Sequence, residues 1–271
     1  MQYPTTIQIE KHQLQSRYLK REVTVDLYLP TTGFDAGSAQ LLLLNDGQNL
    51  PEMQFEILLS NLVEGGQVSP LLCAGIHAGE DRRNEYATAN VTDYEGRGGA
   101  IATAYQQFVI NELLPHISIQ LGIAKFASVG FAGFSMGGLC ALDTVWNHPE
   151  IFSIAGLFSG SLWWRTRALD AGYNEETDRI MHQQIREGSY KNGLRFYFTT
   201  GSLDETADRN NNGIIDSIDD TLALISELEA LGYQKEKEIK YINYEDGRHD
   251  VATWGRALPQ FLLWGWGRST E

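Results

Sequence analysis

Residues Gly133-Phe134-Ser135-Met136-Gly137 spell G-x-S-x-G. An apolar run, 126–131, precedes them, and a stretch with helical spacing, 136–147, follows. Strand, sharp turn and helix therefore stand in the order that lifts a serine out of the top of a sheet. In that position the hydroxyl can give its proton to a histidine and attack an acyl carbon. The same pentapeptide also suits a glycine-rich turn whose serine caps the next helix, so the rest of the chain has to decide.

Working outward, the runs 41–44, 71–76, 126–131, 154–158, 194–199 and 238–244 are short and apolar or β-rich, each ending in Gly, Asp, Asn or Ser. Between them, 105–121, 136–147, 219–231 and 251–266 carry apolar residues at helical spacing. Two alternating segments at the start, 6–14 and 21–29, read as antiparallel strands closed off by Pro30 and Gly33. Strands alternating with helices predict an α/β fold, a mostly parallel sheet covered on both faces and preceded by an antiparallel edge. No repeat or low-complexity linker divides residues 1–271, so one domain is expected.

Composition narrows the functional classes. Hydrophobic residues make up 42% and charged residues 21%, values of a globular rather than a disordered chain. A net charge of −14 repels nucleic acid and anionic membrane surfaces, so neither is expected as a partner. Cys73 and Cys140 lie in apolar surroundings and suit buried thiols better than a disulfide framework. The N-terminus lacks the basic segment and apolar core of a secretory signal, and no 18-residue apolar run occurs. A cytoplasmic location is the expectation.

If Ser135 is a nucleophile, its partners should follow in the order Ser, acid, His at the ends of later strands. Of the 6 histidines, His249 alone follows the last strand, in Gly247-Arg248-His249-Asp250. The acid should lie after 194–199, in Thr200-Gly201-Ser202-Leu203-Asp204-Glu205; Asp204 is the first choice and Glu205 the rival. An oxyanion hole would take one N–H from Met136 and one from Gln48, in the turn Asn45-Asp46-Gly47-Gln48.

With these residues in place, the chain resembles the esterase family of α/β-hydrolases that includes enterochelin-type, feruloyl and acetyl-xylan esterases, S-formylglutathione hydrolases and mycolyltransferases. Most of the chain carries the resemblance. It runs from Tyr28-Leu29-Pro30 and Asp46-Gly47-Gln48 through Gly75-Ile76, Arg83-Asn84-Glu85-Tyr86 and the serine motif. It continues in Ser159-Gly160-Ser161-Leu162-Trp163-Trp164 and ends at Gly247-Arg248-His249-Asp250, with Trp254 beyond. The resemblance implies a serine esterase fold and activity, a small-molecule ester as substrate, and no cofactor for catalysis. It leaves the ester open. His77, Arg83, Tyr86 and Trp163 lie in loops on the side where the serine should open and are candidates to line the substrate pocket.

One stretch departs from the family pattern. Residues 208–219 reproduce the spacing of an EF-hand calcium loop. Asp208, Asn210 and Asn212 stand at positions one, three and five, Gly213 at six, Ile214 at seven to offer its carbonyl, Asp216 at nine and Asp219 at twelve. The closing Asp in place of Glu is similar to the dockerin variant of the loop. A hard cation held by oxygens suits a structural role, freezing the segment after Asp204, better than a catalytic one.

The expectation is therefore a serine esterase working through Ser135, His249 and Asp204, with a structural Ca2+ loop. An acyltransferase would use the same residues. A reading from another class is a catalytically silent, calcium-stabilised binding protein, against which the complete Ser, acid and His set argues. Nothing in the sequence speaks to oligomeric state.

Overall fold

The computed structural model describes residues 6–31, 33 and 35–268. Among them, eight strands form one sheet: β1 (Ile7–Gln15), β2 (Glu22–Pro30), β3 (Gln40–Asn45), β4 (Leu71–Ile76), β5 (Ser128–Phe134), β6 (Ile154–Phe158), β7 (Arg195–Leu203) and β8 (Ile239–Arg248). Their order across the sheet is β1-β2-β4-β3-β5-β6-β7-β8. The β1–β2 and β2–β4 pairs are antiparallel and the others parallel, as the alternating start and the later apolar runs predict.

Helices cover both faces. They are α1 (Phe55–Glu64), α2 (Arg82–Glu85), α3 (Ala100–Phe108), α4 (Leu114–Leu121), α5 (Met136–Asn147), α6 (Glu175–Asp178), α7 (Ile180–Arg186), α8 (Asp216–Ala230) and α9 (Val251–Trp266). Strand β3 shows why its leucines are continuous: Leu41 and Leu43 join the core under α3, α5 and α8, while Leu42 and Leu44 join the opposite core under α1 and α9. A strand buried on both faces has no place for a polar alternation. A wider π turn, Val109–Leu113, joins α3 to α4 just before Pro115, which has no N–H to give the helix ladder.

Several boundaries differ from the sequence expectation. Strand β5 extends through Gly133 and Phe134 because they pair with Leu157 and Phe158 of β6. Helix α8 begins at Asp216 rather than Asp219, so the end of the 208–219 loop is already the helix's first turn. Helix α1, unmarked in the sequence pattern, caps the second core with Phe55 and Leu59. Among the described residues, no helix is long and apolar enough to cross a membrane. Cys73 and Cys140 are buried free thiols.

Candidate active site

Between the end of β5 and the start of α5, Ser135 stands alone in the turn at φ 53° and ψ −120°. A non-glycine residue held there stores roughly 1–3 kcal/mol of strain, which the surroundings must over-determine. The Ser135 N–H donates to the Phe158 carbonyl at 2.9 Å, and the Ser135 carbonyl accepts from Gly138 and Ser161 N–H groups, both at 3.1 Å. The flanking glycines are steric requirements. A Cβ on Gly133 would lie 2.4 Å from the Gly137 carbonyl carbon, and one on Gly137 would lie 3.0 Å from Asn45 Cβ. Asn45, at the end of β3, braces the turn by donating from Nδ2 to the Gly137 carbonyl at 2.9 Å.

Ser135 opens into a cleft of about 330 Å3 at the C-terminal edge of the parallel strands, which His249 and Asp204 also line. His249 Nδ1 stands 4.0 Å from Asp204 Oδ1, with the imidazole 40% exposed and the carboxylate 1% exposed. Asp204 Oδ2 accepts the Gly201 N–H at 2.9 Å, whereas its buried Oδ1 has no hydrogen-bond partner. The two residues meet because β7 and β8 bulge between Gly201 and Leu203, and a Cβ on Gly201 would fall 2.5 Å from the Gly247 carbonyl. Trp254 presses edge-on against the His249 ring at 5.1 Å, and itself stacks on Phe134 at 5.3 Å. Burial holds the His249 imidazolium below the ordinary histidine range; Asp204 opposes that shift and the Arg82 charge adds to it.

Of the pocket candidates, Arg83 and Trp163 line this cleft and Met136 stands at its base. His77 and Tyr86 do not, which corrects the sequence expectation. His77 binds Asp26 Oδ2 through Nε2 at 2.7 Å and faces a separate cavity of about 850 Å3, beside Arg21 and Glu80. Tyr86 is fully buried, and its hydroxyl accepts the Asp46 N–H at 3.2 Å. The Gln48 side chain is fastened to the Ala78 N–H at 3.0 Å, and the residue is not among those lining the cleft.

Ser161, Arg82 and Ser217 are among the cleft residues that escaped the sequence reading. The Ser135 hydroxyl is hydrogen-bonded to Ser161 Oγ at 3.2 Å. Arg82, rather than its neighbour, grips Asp46 with two bonds of 2.7 Å and so sets its guanidinium at the cleft wall. Ser217 lines the cleft next to Glu205, whose carboxyl burial pushes above the usual range. Ser161 had a signal in the Ser159-Gly160-Ser161 stretch; a lone arginine or serine has none.

The 208–219 loop closes on itself. The Asp208 carboxylate accepts the N–H groups of Asn212 at 3.0 Å and Gly213 at 2.9 Å, the latter residue at φ +85°. Asn210 and Asn212 donate their side-chain amides to Asp219 at 3.0 Å and 3.3 Å. Asp216 departs from the expected ligand set because its Oδ1 accepts the Arg209 N–H at 2.9 Å and pairs with the guanidinium at 3.3 Å. Among the described residues no group of three or more His, Cys, Asp or Glu side chains is placed to hold a metal. What converges in the loop is two carboxylates and two amides, a donor set of oxygens once each amide turns by half a revolution.

Comparison with known proteins agrees with this fold. The sequence model of the family described as "Putative esterase" matches residues 16–264. A Bacillus subtilis (strain 168) relative, "Uncharacterized protein YbbA", is 29% identical over 147 residues, which are 52% of this chain and 58% of that protein. The enterobactin esterase FES from Shigella flexneri with 2,3-di-hydroxy-N-benzoyl-serine superposes with a TM-score of 0.70 at 25% identity, over 97% of this chain and 60% of that one. The siderophore hydrolase EstB from Aspergillus nidulans superposes with a TM-score of 0.68 at 17% identity, over 96% of each chain, a likeness of fold. The chain thus spans about 58% of the length of its curated relative. With the family pattern running from just after β1 into α9 and the serine at the expected turn, the chain belongs to this esterase family of the α/β-hydrolase fold.

Proposed function

We propose that the protein hydrolyses carboxylic esters of small molecules through an acyl-enzyme on Ser135. The observation that carries this reading is the strained Ser135 turn opening into the cleft that His249 and Asp204 share. His249, held neutral at neutral pH by its burial, takes the Ser135 proton and later returns it to the leaving alcohol. Asp204 Oδ1 faces His249 Nδ1 and stabilises the imidazolium formed in between. Negative charge on the tetrahedral intermediate meets the Met136 N–H at the start of α5, and the turn after β3, which Asn45 ties to Gly137, would offer the Gln48 backbone N–H as the second donor while its side chain points away to Ala78. The Arg82 guanidinium adds positive charge at the cleft wall.

Labelling with a fluorophosphonate probe tests the reading. The parent protein should label and Ser135→Ala should not. A parent that resists the probe and cleaves no ester in a p-nitrophenyl, feruloyl, acetyl-sugar and thioester panel would instead be the non-catalytic binding protein.

The loop at 208–219 is proposed to hold a structural Ca2+. Support comes from the Asp208, Asn210, Asn212 and Asp219 side chains gathered around the Gly213 turn, with the Ile214 carbonyl next in line. Bound there, the ion would supply charge neutralisation and tie the segment after Asp204 to the start of α8. A cytoplasmic location completes the proposal, supported by the free buried thiols Cys73 and Cys140.

A further inference from the structure

The cleft that Ser135 and His249 share also carries polar groups that the reaction itself does not use. Glu205 follows Asp204 directly and lines the cleft beside Ser217. Ser217 comes from the far end of the 208–219 loop, so the inserted segment contributes a side chain to the active-site cleft. The Ser217 Oγ is buried and has no hydrogen-bond partner. An orphaned buried hydroxyl is costly, and a turn of the Ser217 side chain toward the cleft it lines would let a ligand that brings a partner satisfy it. Glu205 beside it is a carboxyl acceptor with the Ser217 backbone N–H turned toward it.

The side of the cleft matters. His249 must deliver its proton to the departing alkoxide, so the alcohol half of an ester lies against His249 rather than against Met136. Asp204, whose Oδ1 is 4.0 Å from His249 Nδ1, is the chain neighbour of Glu205. Glu205 and Ser217 line the same cleft as His249 and Asp204 and are polar groups there that the proton transfers leave free.

We propose that Glu205 and Ser217 form a subsite that selects alcohols carrying a second hydrogen-bond donor, a hydroxyl or an ammonium, beside the ester oxygen. The proposal rests on the esterase reading of Ser135. It gives the insertion a part in substrate choice, since the loop positions Ser217.

Three acetates test it: ethyl acetate, which has no donor, hydroxyethyl acetate and dimethylaminoethyl acetate, the last protonated at neutral pH. The parent should favour one or both donor-bearing esters over ethyl acetate by about tenfold in kcat/KM, the worth of one hydrogen bond to a charged group. Glu205→Gln and Ser217→Ala should each lower that ratio severalfold, and thermal melting checks that both fold. If Glu205→Gln does not fold, Ser217→Ala carries the test. A larger loss on the dimethylaminoethyl ester assigns the subsite to an ammonium, a larger loss on the hydroxyethyl ester assigns it to a hydroxyl, and equal losses assign it to either donor. A parent that labels with fluorophosphonate but shows no preference overturns the subsite alone, as does a preference that survives both substitutions. An equal loss on all three esters in Glu205→Gln makes Glu205 a triad or structural residue and also overturns it. A parent that neither labels nor cleaves overturns the subsite together with the esterase reading.

Discussion

Asp204 Oδ1 and His249 Nδ1 face one another across 4.0 Å, and the carboxylate oxygen is buried without any other partner. A buried acceptor left open toward an imidazole is poised for the moment the ring becomes charged. Asp204→Asn removes the charge and should lower kcat for ester hydrolysis by about a hundredfold or more, with a small effect on KM. Steady-state kinetics on a p-nitrophenyl ester check it. A variant within a few fold of the parent would transfer the role to another acid.

The pH profile should report His249. Burial lowers its pKa, with the Arg82 charge adding to the shift and Asp204 partly restoring it. The base works when neutral, so kcat/KM should rise with pH and its acid limb should have a midpoint below the ordinary value of about 6.5. Asp204→Asn removes the restoring charge and should move the limb further down. A limb above the ordinary value in the parent would contradict the environment described for His249.

Gly133→Ala asks for space that is occupied, since the new Cβ would lie 2.4 Å from the Gly137 carbonyl carbon. The turn can make room only by moving Ser135. Fluorophosphonate labelling should be lost even where circular dichroism shows a folded protein, and normal labelling would argue against the geometry of the turn.

Asp220 is 1% exposed and receives Arg179 Nη1 at 2.8 Å together with the Arg209 guanidinium. Those bonds tie α8 to the junction between α6 and α7 and to the second residue of the 208–219 loop. Asp220→Ala leaves the buried Arg179 without its carboxylate, while Arg209 keeps Glu175 and Asp216, and should cost roughly 3–5 kcal/mol in urea unfolding. A loss under about 1 kcal/mol, the range of exposed pairs, would mean that solvent reaches the cluster.

Calcium should act on stability through the neighbouring loop. An ion that binds only the folded chain raises the melting temperature, by the equivalent of about 2.7 kcal/mol at a hundred times its Kd. EGTA should reverse the rise and Asp208→Ala should abolish it. A parent protein whose melting and ester turnover ignore both calcium and EGTA has no such site.

Much of the architecture was legible because it is written locally. The leucines of β3, the alternation of β2 and the helical spacing of α5 and α9 each follow from one element meeting one or two apolar layers. Chain order alone placed Ser135, Asp204 and His249, since each stands at or just past the end of a parallel strand. Helix α1 was harder to see, because its burial depends on meeting α9 and β4 rather than on a strong pattern of its own.

By itself the sequence determined the α/β alternation, the serine turn with its two necessary glycines and a histidine after the last strand. Only the tertiary structure decided which loop residues share the cleft. It brought Arg82 onto Asp46 and Ser161 onto Ser135, and it folded Ser217 back beside Glu205. It also sent His77 to Asp26 and buried Tyr86 behind the Asp46 turn. The physical reason is that periodicity reports the face on which a residue lies within its own element. Which loop ends meet at the edge of a sheet depends on strand order, twist and close backbone approaches such as Gly201 against Gly247, and these leave no local mark in the chain.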